Sequence, residues 1–269
     1  MSPAVRPPAV AGVFYTGNAA QLAAEVSRLL GAAPGRAGVQ PKALIVPHAG
    51  YIYSGAAAAA AYARLAPWRS LIRRVVLLGP THRVAVRGLA IPSADAFATP
   101  LGSVALDRTA LAAVAGLSQV VVSDAAHAQE HSLEVQLPFL QTALDDFRLA
   151  PFAVGHCRPE AVAEVLDRLW GGAETLIVVS SDLSHFLPYD VARSVDAVTC
   201  QRIAALVSDL EPDEACGAYP LNGLLLAARR RGLAAELVEL CNSGDTAGDK
   251  ARVVGYGAFT LAPAGAGHA

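Results

Sequence analysis

Cysteine is scarce in this sequence, and what there is lies scattered. Cys157, Cys200, Cys216 and Cys241 form no C-x-x-C pair. In a chain of 269 residues that spacing argues for reduced thiols in a cytoplasm and against a disulfide framework. Cys157 and Cys200 sit in apolar contexts and read as small core residues. Lysine is nearly absent: Lys42 and Lys250 stand alone and the other basic residues are arginines. Neither sign of charge dominates. Lys+Arg number 21 against 23 Asp+Glu, a net charge of -2, which removes the electrostatic ground for nucleic acid or an anionic membrane as partner. No run approaches the roughly 20 strongly apolar residues of a membrane span. The "GAAAAAAYA" stretch is alanine, which suits a packed helix better than lipid. The opening "MSPAVRPPAV" has no apolar signal-peptide core. Several catalytic signatures are missing: the P-loop, the G-x-S-x-G elbow, the zincin H-E-x-x-H and the Rossmann G-x-G-x-x-G. "GYGAF" lies inside a terminal strand pattern and reads as close packing. There is no C-x-x-x-C-x-x-C cluster motif either.

What is present is an alternation. Hydrophobic residues make up 54% of the chain, enough for a large core. Apolar runs of strand length at 42–47, 73–80, 87–92, 147–154, 174–182, 235–241 and 251–262 alternate with helical patterns. Those patterns cover 54–65 (Ser54 as N-cap), 107–116 (ending at Gly116), 130–144 (kinked near Pro138), 158–170, 189–206 and 219–232 (ending at Gly232). This predicts one α/β domain over residues 1–262, with a largely parallel central sheet flanked by helices on both faces. Residues 34–41 read as a surface loop and 263–269 as a disordered tail, which discounts His268.

Three apolar strands end alike. "ALIVPHAGY" puts His48 past the first, with Gly50 beside it to let the backbone turn. "VVLLGPTH" puts His82 past the second. "LIVVSSDLSH" puts Asp182 and His185 past the third. In open parallel α/β sheets ligands bind beyond the carboxyl ends of the strands, so these groups converge on one edge. Two imidazoles and a carboxylate are a standard set for zinc or non-haem iron(II). For the third ligand the residues leave Asp182 and the loop "CNSGDTAGD" open, the latter offering Cys241, Asp245 and Asp249. Gly244 and Gly248 let that loop fold tightly. "HAQEHSLEVQLPF" is the other dense patch: read as a helix, it puts His131 and Glu134 on one face and Glu130 and Glu134 on one face. The functional reading of those three is a second layer around the ligands: a carboxylate orienting a ligand imidazole, or a polar pocket wall. Tyr51 and Tyr53, next to His48, are placed to line the pocket.

Taken together, "RPPAVAGVFYTGNAAQL", "PHAGYIYSG", "LLGPTHRV", "ATPLG", "EHSLEVQLPFL", "VVSSDLSHF", "YPLNGLL", "NSGDTAGD" and "VVGYGAFTL" resemble, in that order and over nearly the whole chain, the Memo family. Its bacterial members are called AmmeMemoRadiSam system protein B. The resemblance implies a fold similar to class III extradiol dioxygenases, which hold non-haem iron(II) and open catechol rings with O₂. It implies His48 and His82 as metal ligands, His185 as an acid/base histidine and Asp182 beside the metal. Animal members take a third ligand from a cysteine in the loop before the last strand. Aligned back from "VVGYG", that position falls at Thr246, with Cys241 five residues earlier and Asp245 adjacent. Asp245 would restore a two-histidine, one-carboxylate set. The implied cofactor is Fe(II), with copper or zinc as alternatives. The implied activity is an iron-dependent oxidoreductase acting on a small-molecule substrate; the alternative is a non-catalytic module holding a metal or a peptide. The family name also implies a link to a radical SAM protein and an AMMECR1-like protein.

Overall fold

The computed structural model describes residues 4–34 and 38–265. Parts of the expected 34–41 loop and of the 263–269 tail, with His268, lie outside them. In chain order the elements are β1 (Val5–Arg6), α1 (Ala19–Ala32), β2 (Ala43–Val46), α2 (Tyr51–Tyr62), β3 (Arg74–Pro80), β4 (Leu89–Ile91), β5 (Ala96–Thr99) and β6 (Gly102–Ala105). Next come α3 (Arg108–Val114), β7 (Val120–Val122), α4 (Asp124–Ala128), α5 (Leu137–Ala143), β8 (Arg148–Val154), α6 (Pro159–Leu169) and β9 (Thr175–Ser180). The last are β10 (His185–Leu187), α7 (Tyr189–Ala204), α8 (Ala218–Arg230), β11 (Leu233–Asn242) and β12 (Val253–Pro263).

Continuous apolar sequence makes β2 and β9 buried along their whole length, as strands covered on both faces must be. They sit at the centre of the main sheet, whose order is β10-β12-β2-β9-β3-β8-β4-β7, with β11 also on β12. The pairings β2–β9, β9–β3 and β3–β8 are parallel, as the alternation predicts. Around that parallel centre the sheet turns antiparallel, where β12 meets β2, β10 and β11 and where β4 meets β8. A small second sheet, β1-β5-β6, lies apart from it. Helices α1, α2 and α5 pack on one another, with α2 against β2, β11 and β12. Helices α3 and α8 pack on α6, with α8 against β3 and β9. The alanine run Ala57–Ala61 is buried in α2, where small side chains bring the helix close to the sheet.

Two helix expectations are corrected. The helix expected over 54–65 begins three residues earlier, at Tyr51, with Gly50 at its N-cap. Ser54 is inside it, its hydroxyl donating to the Ala49 carbonyl. The helix expected over 130–144 is a turn, a short 3-10 segment (Glu134–Gln136) and then α5. Pro138 therefore does not kink a helix. It sits at the first turn of α5, where its missing N–H costs nothing. Pro263, expected in the tail, still pairs with Leu233 in β11.

Candidate metal centre

Strands β2, β9 and β3 are neighbours and parallel, and Val179 pairs with both Ile45 and Leu78. Their carboxyl ends are thus level. Each strand is followed two residues later by a polar side chain: His48 after Val46, His82 after Pro80, Asp182 after Ser180. The sheet itself sets these three groups side by side.

His48 is 2% exposed. Its Nδ1 lies 2.9 Å from Ser180 Oγ. The Ser180 hydroxyl has one proton, and donates it to the Ser132 carbonyl at 2.6 Å. Ser180 Oγ also accepts from Gln136 Nε2 at 2.8 Å. It can only accept from His48, so His48 carries its proton on Nδ1 and keeps a lone pair on Nε2. That Nε2 lies 3.3 Å from the Cys216 sulfur, a neighbour 168 positions away that no local pattern announces. Burial, and then the imidazoles of His82, His131 and His185, hold the His48 pKa well below its ordinary value. His48 is a neutral donor at any physiological pH.

Glu130 does the same for His82. Its carboxylate is 1% exposed and accepts from His82 Nδ1 at 2.9 Å, from the His131 N–H at 2.9 Å and from the Ser132 N–H at 3.0 Å. Burial alone would raise its pKa; the His82 ring and these N–H groups outweigh that and hold it at about 2. An ionised carboxylate only accepts, so His82 also keeps its lone pair on Nε2. The turn that Glu130 caps carries His131, whose pKa burial and the His82 charge lower to about 4. The three rings stand with centroids 4.6 Å (His82–His131), 5.2 Å (His48–His82) and 5.4 Å (His48–His131) apart. Their ligand nitrogens all lie within 4.8 Å of one another, and the group could hold a metal ion. Imidazoles with the far nitrogen tied down are the usual preparation for metal binding.

The rings face a cavity of about 650 Å³ also lined by Phe14, Tyr53, Arg83, Asp182, His185 and Arg252. Asp182 Oδ1 accepts the His48 N–H at 2.7 Å. Burial raises its carboxyl pKa to about 6, against the lowering effect of that bond and of His185. His185 Nδ1 lies 2.9 Å from the Leu183 carbonyl, which only accepts, so His185 too keeps Nε2 as an acceptor.

A family model described as Memo-like protein matches residues 6–260. The chain belongs to the Memo family. A MEMO1 family protein of Aquifex aeolicus (strain VF5) is 37% identical over 265 residues, covering 94% of this chain and 97% of that protein. One of Ignicoccus hospitalis is 35% identical over 284 residues, covering 94% and 97%. A crystal structure of an uncharacterized protein, JW3007 from Escherichia coli K12, superimposes with a TM-score of 0.52 over 82% of this chain and 99% of that one. At 14% identity that likeness speaks for the α/β fold alone.

In this Memo chain, His48, His82, Asp182 and His185 come together as the strand ends predict. The third member of the histidine group is His131, where the sequence favours Asp245 as the third ligand. The Asp245 carboxylate is engaged elsewhere: Oδ2 accepts the Asn242 N–H at 3.0 Å in a capping box, and Oδ1 accepts the Tyr189 hydroxyl. It lines a separate cleft with Asp190, Arg193 and Cys241. Asp249 does reach the main cavity. Glu130 orients His82 and the His131 turn. Glu134 shares no helix face with Glu130 or His131. It is fully buried, paired with Arg6 at 2.7 Å, and accepts from the Ala9 and Val10 N–H groups and the Tyr15 hydroxyl. It fastens the N-terminal segment under the site. Tyr51 is 5% exposed, its hydroxyl donating to the Val135 carbonyl, and it is Tyr53 that lines the cavity. Ser180 and Gln136 carry no local signal of these roles: Ser180, the first serine of "VVSSD", meets the His48 ring, the Gln136 amide and the Ser132 carbonyl, all distant in sequence.

Proposed function

We propose that this protein is a non-haem iron(II)-dependent oxidoreductase of extradiol-dioxygenase type, with His48, His82 and His131 holding the metal. The observation that supports it is one cavity wall carrying three imidazoles, two of them held at Nδ1, beside His185, held at its own Nδ1 by the Leu183 carbonyl. Bound there, Fe(II) supplies redox chemistry with dioxygen and Lewis acidity. The chain's own residues do the rest. His185 Nε2 takes the proton of a substrate hydroxyl as general base, and the Leu183 carbonyl stabilises the imidazolium that forms. Asp182 holds the His48 loop still through the His48 N–H. Phe14 and Tyr53 give the cavity aromatic walls for a planar substrate.

The test is anaerobic reconstitution followed by O₂ consumption against a panel of catechols. Near-stoichiometric iron, turnover, and a loss of about 10²–10⁴ in rate for His185→Gln with iron retained support the reading. Tight iron with no O₂ uptake on any diol refutes the oxygenase and leaves the non-catalytic binding module. A second reading, a zinc hydrolase, rests on the donor set: three histidines are also a catalytic zinc set. It requires Zn(II) retention and activity indifferent to oxygen. Among the described residues no helix is long and apolar enough to cross a membrane, and all four cysteines are free. The proposal places the protein in the cytoplasm. A shared pathway with a radical SAM protein and an AMMECR1-like protein belongs to the same proposal, and co-purification from native extract tests it.

A further inference from the structure

The cavity holds charge that the metal site does not use. Several arginines elsewhere in the fold meet carboxylates: Arg6 with Glu134, Arg74 with Asp107, Arg202 with Asp209 and Glu214, Arg231 with Asp167. Arg83 and Arg252 line the metal cavity, and neither makes a hydrogen bond or ion pair with any described residue. Arg83 follows His82 at the end of β3, and Arg252 directly precedes β12. In the order β12-β2-β9-β3 they enter from opposite sides, three strand spacings or about 14 Å apart. The two lining carboxylates do not answer them. Asp182 accepts the His48 N–H, and Asp249 accepts the Ala251 N–H at 2.8 Å.

Arg252 is moreover held in place. Its guanidinium carbon sits 4.9 Å from the centroid of the Phe186 ring. Phe186 is 61% exposed and its φ is +61°, a conformation a bulky side chain enters only at a cost. The chain thus accepts strain at the residue after His185 and leaves an aromatic ring out in solvent beneath an unpaired cation. A guanidinium on an aromatic face keeps its edge N–H groups free for a second partner.

We infer that the molecule this cavity takes is an anion, bearing a carboxylate or phosphate group that the guanidiniums of Arg83 and Arg252 bind. Arginine presents paired N–H donors matched to either oxyanion. The inference rests on the cavity being the substrate site, as proposed above, but not on any turnover there.

Binding by calorimetry tests it, on the full chain at physiological salt, metal-free and Zn(II)-loaded. The probes are two matched pairs: 3,4-dihydroxybenzoate against catechol, and phenyl phosphate against phenol. The expected result is that each anion binds at least about tenfold tighter than its neutral partner in both metal states. Arg83→Gln and Arg252→Gln each reduce that preference, and the double variant abolishes it. Arg69→Gln, at the distant Arg69–Asp145 pair, leaves it intact. Phenyl phosphate favoured over 3,4-dihydroxybenzoate would make the group a phosphate, and the reverse a carboxylate. Equal affinity for anion and neutral partner, or no saturable binding of either anion, overturns the inference. So does a preference that survives in the double variant, including one present only with metal, which would give the anion to the metal. A protein that shows the charge preference and consumes no O₂ loses the oxygenase reading alone.

Discussion

Ser180→Ala is the sharpest test of how the histidine group is prepared. The substitution keeps Cβ, so packing in β9 is preserved, and removes one oxygen that makes three hydrogen bonds. His48 Nδ1–H and Gln136 Nε2–H lose their acceptor, and the Ser132 carbonyl loses a donor. Gln136 retains its bond to the Pro47 carbonyl at 2.9 Å. At about 1 kcal/mol per bond, the cost to stability is about 2–3 kcal/mol. A domain stable by about 5–15 kcal/mol stays folded. The cost to metal binding is separate. With Nδ1 unanchored, His48 is free to move its proton to Nε2 or to rotate. Loss of an orienting partner lowers metal affinity about 10–100-fold, equivalent to about 1.4–2.7 kcal/mol. Zn(II) competition titration against a chelator measures the second effect without redox complications, and urea unfolding of the metal-free protein measures the first. A folded Ser180→Ala protein with unchanged Zn(II) affinity refutes the claim that Ser180 sets the His48 tautomer. A stability loss with no change in affinity would make Ser180 a packing residue only.

Substitution of the ligands separates the two candidate sets: His48→Ala, His82→Ala and His131→Ala each lose the metal in elemental analysis, whereas Asp245→Ala retains it. If Asp245→Ala loses the metal and His131→Ala does not, the three-histidine site is wrong. Acid is expected to destabilise the metal-free fold through its buried histidines, partly offset by Asp182, whose carboxyl is raised to about 6 and gains stability as it protonates. The unfolded chain protonates these histidines near pH 6.5, while the fold holds His131 near 4 and His48 well below 6.5. Stability therefore falls as pH drops from about 6.5 toward 4, and urea midpoints across that range should fall less in a His131→Gln variant. Glu130 adds a second acid step, because its carboxyl is held at about 2 against an ordinary 4.5; its contribution is full above 4.5 and lost as pH approaches 2. Gly79→Ala should damage fold and site together. The new Cβ would lie 2.8 Å from Ser132 Oγ and 3.0 Å from Leu133 Cδ2. Overpacking of this kind costs about 1–3 kcal/mol, and the shifted turn carries His131. Wild-type Zn(II) affinity in that variant would show that the turn yields without moving the ring.

The parallel core was legible because its signal is local. A run such as "LIVV" can only be a strand covered on both faces, and the polar residue after it must sit at the sheet edge. His48, His82, Asp182 and His185 follow from that alone. His131 reads as a helix residue only because leucines at helical spacing over 130–144 outweigh Pro138. Read as a first-turn residue, that proline starts the helix at Leu137 and frees "EHSLEVQ" to be a turn. Glu130 reads in the sequence as a carboxylate that orients an imidazole, but which imidazole does not: its donors are the ring and N–H of His82, 48 positions away, besides the next two backbone N–H groups. The strands β7 and β10 add only three residues each and pair at the margins of the sheet, too short for periodicity to register.

The order β2-β9-β3 has a consequence for biosynthesis. All three histidines of the group lie in the first half of the chain, but β2 and β3 are not neighbours. The strand between them, β9, spans Thr175–Ser180, and its final residue is the one that fixes His48. A nascent chain that has released His48, His82 and His131 still has a gap where β9 will go. The spacing of the imidazoles is set only when that strand slides in. Metal capture is thereby deferred until about two thirds of the polypeptide has left the ribosome, and a fragment ending before residue 175 should carry every histidine of the group and still hold metal poorly.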